Sequence, residues 1–351
     1  MNWDQLDWAA LDRLREGFLS GTAAAGPYWN TPADLANYDF TYAERIGWKW
    51  DALLRELRLR SWSPPAGGLL LDWGCGSGIA GRRVLSAFGA ATFSSLAVWD
   101  HSELARTFAA DRARAEFPAL PVAAFADTGQ PIALLVVSHV LNELSPDARA
   151  HLLALVARAA AVIWVEPGTH ADSRALASVR DSLLAGPHRI VAPCTHRETC
   201  PLFLAVNDRD WCHFFAPPPV GIQNDSHWVR WAQRAGLDLR SQAYSCLVLD
   251  QTQSGSYERE RTASVISPAD TAPADTARLL GRPEIFKPYA RFLACDRTGL
   301  HWLELPKRIA PALIKRLDKN PPVPVYSLVH DGRRVSEMAP LVSDDTPHPD
   351  A

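Results

Sequence analysis

The stretch LLLDWGCGSG, Leu69 to Gly78, decides the fold. Three leucines in a row mark a strand buried on both faces, an acid follows, and three glycines then lead into the helical pattern of IAGRRVLSAFG. Glycines at such a strand-to-helix switch permit a tight turn and let the backbone come close to a ligand. Working outward, SLAVWD, PVAAFAD, ALLVVSHV and AVIWVEPG read as further strands, separated by Ala- and Arg-rich helical segments such as SELARTFAADRARAEF. Apolar strands alternating with helices over 69–168 predict an α/β fold, a parallel sheet covered on both faces.

The ligand-binding residues expected from this pattern are Asp72, Gly74, Gly76, Gly78, Asp100 and Asp127. Asp100 ends the second strand, where a carboxylate can accept hydrogen bonds from both hydroxyls of a ribose. Asp127 follows the third, where an acid can meet the exocyclic amine of adenine. This order over 68–168 resembles the class I S-adenosylmethionine-dependent methyltransferases, a Rossmann-like fold. The resemblance implies S-adenosyl-L-methionine as the ligand. No catalytic residue can be named: after the fourth strand the chain reads SHVLNEL, unlike the N-P-P-[FY] pattern of enzymes that methylate exocyclic amines. His139 and Glu143 are acid–base candidates there, with hydrogen-bonded scaffolding the commoner role for a histidine at a strand end. Cys75 and Cys246 read as small packed residues.

The chain has 351 residues, 47% hydrophobic and 21% charged, with a formal net charge of −3. That is a globular composition with no overall attraction for nucleic acid, so any RNA-binding surface must be local, and no DNA partner is expected. The first residues, MNWDQLDWAALDRLREGF, lack the basic start of a secretory signal and carry too many acids for a transit peptide. No apolar run approaches the ~20 residues of a membrane span. A cytoplasmic protein with reduced thiols is the expectation.

The expected organisation is a helical N-terminal segment (1–64), a methyltransferase-like domain (65–250) with a cysteine-rich metal-binding insertion over 190–215, a flexible loop (251–277), a small β-rich C-terminal region (278–340) and a disordered tail (341–351). In the C-terminal region, ARLLGRPEIFKPYARFLACDRTGLHWLELPKR reads as two or three short strands turning at Thr298–Gly299.

Within APCTHRETCPLFLAVNDRDWCHF, Cys194, Cys200 and Cys212 are separated by five and eleven residues. This is neither zinc-finger nor ferredoxin spacing. A metal site needs a fourth ligand, for which His196, His213 and the remote Cys295 are available. Trp211 is expected to pack beside such a site.

The set SHVLNEL, VEPGT, APCTHRETCPL, DWCHF and LACDRTG resembles the methyltransferase-like mitochondrial small-ribosomal-subunit assembly proteins and their bacterial homologues, over roughly 60–310. The resemblance implies a [4Fe–4S] cluster on Cys194, Cys200, Cys212 and Cys295, with zinc as the alternative metal. It also implies association with the small ribosomal subunit and its rRNA during assembly or translation. His196 and His213 then become hydrogen-bond partners of the site. The interval before Cys212 is longer than the family pattern, so LFLAVNDRD reads as an insertion. Residues 278–316 hold nine Lys or Arg against three acids, net +6, with Phe286, Tyr289, Phe292 and Trp302 interleaved, a segment able to track phosphates and stack on bases. Two other functions fit the same residues: an active RNA or protein methyltransferase, and a small-molecule methyltransferase with a structural zinc site.

Overall fold

The leucine run forms β1 (Leu69–Trp73), whose buried residues pair on one side with β2 (Ser95–Trp99) and later with β4 (Ile132–Ser138). The computed structural model describes residues 1–20, 29–240, 242–251, 275–319 and 323–342. The chain divides into two compact units, described separately.

The first unit holds 1–55, 64–167 and 215–244. Its strands β3 (Val122–Ala124), β2, β1, β4 and β5 (Ala159–Pro167) are parallel neighbours in that order. Leu71 sits between Ala97 and Leu135, and every residue of β4 except Ser138 is buried. Strand order reverses between β1 and β4, which opens a crevice beyond their carboxyl ends. The helices are α1 (Trp8–Ser20), α2 (Pro32–Tyr38), α3 (Glu44–Leu59, of which 56–59 belong to the second unit), α4 (Ile79–Phe88), α5 (Glu103–Glu116) and α6 (Pro146–Arg158). Local chemistry sets their starts: Thr31, Ser102 and Ser145 each accept a backbone N–H of the first turn. The N-terminal helices are held by Leu6, Leu11 and Trp48, which pack with Trp231 and Ala232.

The second unit holds 56–63, 168–214 and the residues from 245 onward. It contains α7 (His170–Ser182) and β6 (Arg189–Ala192); β7 (Phe214–Ala216) and α8 (Ser226–Ala235) follow in the chain, and then β8 (Gln242–Asp250), whose Asp250 and Leu249 pair antiparallel with Arg189 and Ile190. The C-terminal region is a closed barrel, which the sequence pattern did not reveal. Its strands are β9 (Thr276–Ile285), β10 (Tyr289–Asp296), β11 (Gly299–Pro306), β12 (Val325–Asp331) and β13 (Arg334–Pro340), ordered β10-β11-β13-β12-β9. Helix α9 (Pro311–Lys319) sends Leu313, Ile314 and Leu317 into the barrel core with Phe292, Leu303 and Tyr326. The loop expected over 251–277 and the tail expected over 341–351 lie mostly outside the described residues. Among the described residues no helix is long and apolar enough to cross a membrane.

Candidate functional site

Two candidate sites stand out, one in each unit. In the first unit the glycine turn leaves β1 with Gly74, Gly76 and Gly78 all at positive φ. A Cβ on Gly74 would strike Val140, and one on Gly78 would strike Ala109, whereas one on Gly76 would meet nothing within 4 Å. Gly76 therefore faces open space, where a ligand can approach the backbone. Asp100 accepts the Gly76 N–H at 3.0 Å and the Ser102 N–H at 2.9 Å, so it fixes the turn directly. Asp72 lies beneath, accepting the Gly81 N–H through Oδ2 at 2.9 Å, while its buried Oδ1 has no hydrogen-bond partner among the described residues. Burial pushes its carboxyl up to about 7. Asp127 stands apart from this group: it is exposed and paired with Arg158 at 2.5 Å.

Across the crevice, His139 adopts φ 56°, a rare conformation for a residue with a side chain. Its Nε2 lies 3.0 Å from Lys49 Nζ and its Nδ1 3.2 Å from the Ser138 hydroxyl, which in turn accepts the Trp50 indole N–H. Burial, then the Lys49 charge, hold its ring well below the usual histidine range. Burial and the nearby Asp100 charge raise Glu143 to about 7. Lys49 escaped the sequence reading because it sits on α3, remote in sequence and inside an ordinary helical pattern.

In the second unit Cys194, Cys200, Cys212 and Cys295 line one pocket, together with Arg180, Thr195, His196 and Arg278. Helix α7 organises it. Thr169 caps α7 by accepting the Asp172 N–H. One face of the helix then fastens the irregular cysteine segment, whose backbone groups have no ladder of their own. Arg180 donates to the carbonyls of His196 and Glu198, and Arg174 to those of Asn207 and Asp210. Ser173 donates to the Cys212 carbonyl, and Asp181 accepts the Cys200 N–H at 3.0 Å. The spacing 173, 174, 180, 181 was the available signal for this helical clamp.

Cys295 arrives from β10, with its Sγ 3.5 Å from His196 Nε2. His213 stacks on Trp211, ring centroids 4.5 Å apart, and does not line the pocket. Nor do Cys75 and Cys246, both buried. Burial and then the Cys194 thiolate charge lift Cys200 to about 12, and the same two causes lift Cys212 and Cys295 well above the ordinary thiol range. Such thiols stay protonated unless a cationic centre joins them, and a donor set of four sulfurs suits zinc or an iron–sulfur cluster. Among the described residues, the three-ligand group whose donor atoms fall within 4.8 Å of one another is a different one, Asp296, His301 and His330.

The basic C-terminal segment is divided by its strands. Arg278, counted among its cations, is buried and pairs with Glu56 at 2.6 and 2.8 Å, and Phe292 is in the barrel core, so neither can serve an RNA surface. Phe286 and Trp302 are exposed, and the Arg291 guanidinium lies over both rings.

The family described as mitochondrial small ribosomal subunit Rsm22 matches residues 62–279. The chain belongs to that family. Its match spans the parallel sheet and the three clustered cysteines. No curated protein matches the chain. Similar solved structures include the 16S rRNA methylase RmtB (14% identity, 53% of this chain and 70% of that one, TM-score 0.32) and an rRNA methylase from Escherichia coli (13%, 53% and 71%, 0.33). A third is a magnesium protoporphyrin IX methyltransferase from Synechocystis with bound SAM (15%, 53% and 89%, 0.32). Their activities are their own, and the architecture of this chain rests on its own strand order.

Proposed function

We propose that this chain is a methyltransferase-fold protein of the small ribosomal subunit, carrying a [4Fe–4S] cluster on Cys194, Cys200, Cys212 and Cys295 and binding S-adenosyl-L-methionine beside Gly76. The observation that carries the reading is the convergence of four cysteines, three from the α7-clamped loop and one from a barrel strand, on a single pocket. The family match supports the ribosomal association. Four sulfur donors suit an iron–sulfur cluster and zinc alike, and the metal content distinguishes the two.

When bound, the cluster supplies a cross-link between the cysteine loop and β10. The chain's own residues do the rest: Arg180 sets a permanent positive charge within hydrogen-bonding reach of Cys194, and His196 borders Cys295. In the crevice, Gly76 offers open backbone and Asp100 holds the turn, while Asp72 lies beneath it with a buried carboxylate oxygen that has no partner among the described residues. The exposed Phe286–Arg291–Trp302 group is the candidate rRNA contact, suited to base stacking beside phosphates.

The test is anaerobic purification with iron, sulfide and zinc analysis, followed by sedimentation with small subunits. About four irons and four sulfides per chain are expected, lost in Cys295→Ser together with subunit binding, while the first unit stays folded. Stoichiometric zinc without sulfide, or a Cys295→Ser protein that keeps its iron, would overturn the assignment.

A further inference from the structure

One end of the barrel gathers a second set of donors that the proposed function does not use. Asp296 closes β10, His301 lies early in β11 and His330 near the end of β12. His301 Nε2 is 3.4 Å from Asp296 Oδ1 and 2.8 Å from the Thr298 hydroxyl, and His330 Nε2 is 3.9 Å from Asp296 Oδ2. One donor atom from each residue falls within 4.8 Å of the other two.

Three details go beyond proximity. The Asp296 carboxylate is set in place, its Oδ1 accepting from the backbone N–H and hydroxyl of Thr298 (2.7 and 2.6 Å) and from the Gly299 N–H at 3.2 Å. His330 Nδ1 lies 2.8 Å from the Gly332 carbonyl. A carbonyl can only accept, so Nδ1–H donates to it and Nε2 is the ring nitrogen turned toward Asp296; an outer partner of this kind orients metal-ligating histidines. The 3.9 Å between His330 Nε2 and Asp296 Oδ2 is too long for a hydrogen bond. The two atoms face each other across a gap that a bound cation would bridge.

We propose that Asp296, His301 and His330 bind one divalent first-row transition-metal ion. Two imidazoles and one carboxylate suit such an ion, whereas calcium and magnesium prefer oxygen donors. The His301 and His330 side chains are 28% and 21% exposed, which leaves an open side for water or an incoming anion to complete the shell. The site is separate from the cysteine pocket: Asp296 follows Cys295 along β10, and successive strand residues face opposite ways. The ion would tie the β10–β11 turn to β12. The inference does not rest on the proposed function.

The experiment uses the full chain, prepared anaerobically with its iron and sulfide content measured, then freed of loosely held metal with a mild chelator and titrated with Co²⁺. One equivalent is expected, with weak ligand-field bands and no sulfur-to-cobalt charge transfer. His330→Ala and His301→Ala should each weaken uptake by more than the roughly 10–100-fold that loss of an outer partner costs, with iron and sulfide unchanged. In the unsubstituted protein, bound Co²⁺ should also protect both histidines from diethylpyrocarbonate, read by peptide mass spectrometry, so the test does not depend on the variants folding. Absence of stoichiometric uptake, uptake with sulfur charge transfer, undiminished uptake by a soluble His330→Ala protein, or lack of protection would each overturn the proposal.

Discussion

Replacing Glu56 by Gln should damage the second unit more than any surface substitution. Glu56 is 3% exposed and receives both Arg278 nitrogens, at 2.6 and 2.8 Å, and Arg60 at 3.2 Å. Arg278 is 1% exposed and Arg60 5%, so the substitution leaves two buried guanidiniums without their carboxylate. Removing one partner from a buried pair costs about 3–5 kcal/mol. In a unit of this size that lowers the melting temperature by roughly 6–20 °C. Burial pushes the Glu56 carboxyl up, but the Arg278 and Arg60 guanidiniums more than reverse this and leave it lowered. The stabilisation is therefore complete above the ordinary carboxylate range and is lost as pH falls through the lowered value, so the gap between wild type and variant should hold at neutral pH and narrow only in acid. Urea unfolding at pH 7 and at pH 4, with the Glu56→Gln/Arg278→Met double variant alongside, measures it. The double variant should recover part of the loss, because one unpaired cation goes with the carboxylate. Equal stability of Glu56→Gln and wild type, or a double variant as weak as the sum of the singles, would refute the reasoning.

Three further outcomes are expected. Gly78→Ala should cost about 1–3 kcal/mol in thermal unfolding, because φ is +77° and the new Cβ would stand 2.9 Å from that of Ala109; Gly76→Ala should cost only the strain of its positive φ, about 1–2 kcal/mol, yet weaken S-adenosylmethionine binding in calorimetry. Asp72→Asn should flatten the pH dependence of stability: a carboxyl raised to about 7 stabilises fully below the ordinary range and less as pH climbs through 7, a loss of up to about 4 kcal/mol, so equal pH profiles of variant and wild type would contradict the assignment. Trp302→Ala should weaken binding to small-subunit rRNA by about 1–3 kcal/mol, the value of one stacked base, without changing the salt slope; unchanged affinity would remove this face from the contact.

The parallel sheet was legible in the sequence because its signals are local. A strand buried on both faces must be apolar throughout, so Leu69–Leu71 and Ile132–Val137 announce themselves, and the turn after β1 needs glycine wherever φ is positive. Cysteine is rare enough in this chain that Cys194, Cys200 and Cys212 stand out as a cluster, although their spacing matches no metal motif. Tertiary structure decided what depends on partners distant in the chain. The barrel needs five short strands to close, and alternation within each says nothing of closure. Arg278 and Arg291 look alike in sequence, yet Glu56, 222 positions away, buries the first while the second lies on the surface over Phe286 and Trp302. Asp100 and Asp127 likewise follow successive strands, but one grips the glycine turn and the other pairs with Arg158. Composition and periodicity carry the free energy of burial, which each residue expresses on its own; the pairing of charges, thiols and imidazoles depends on which distant segments the fold brings within a few ångströms.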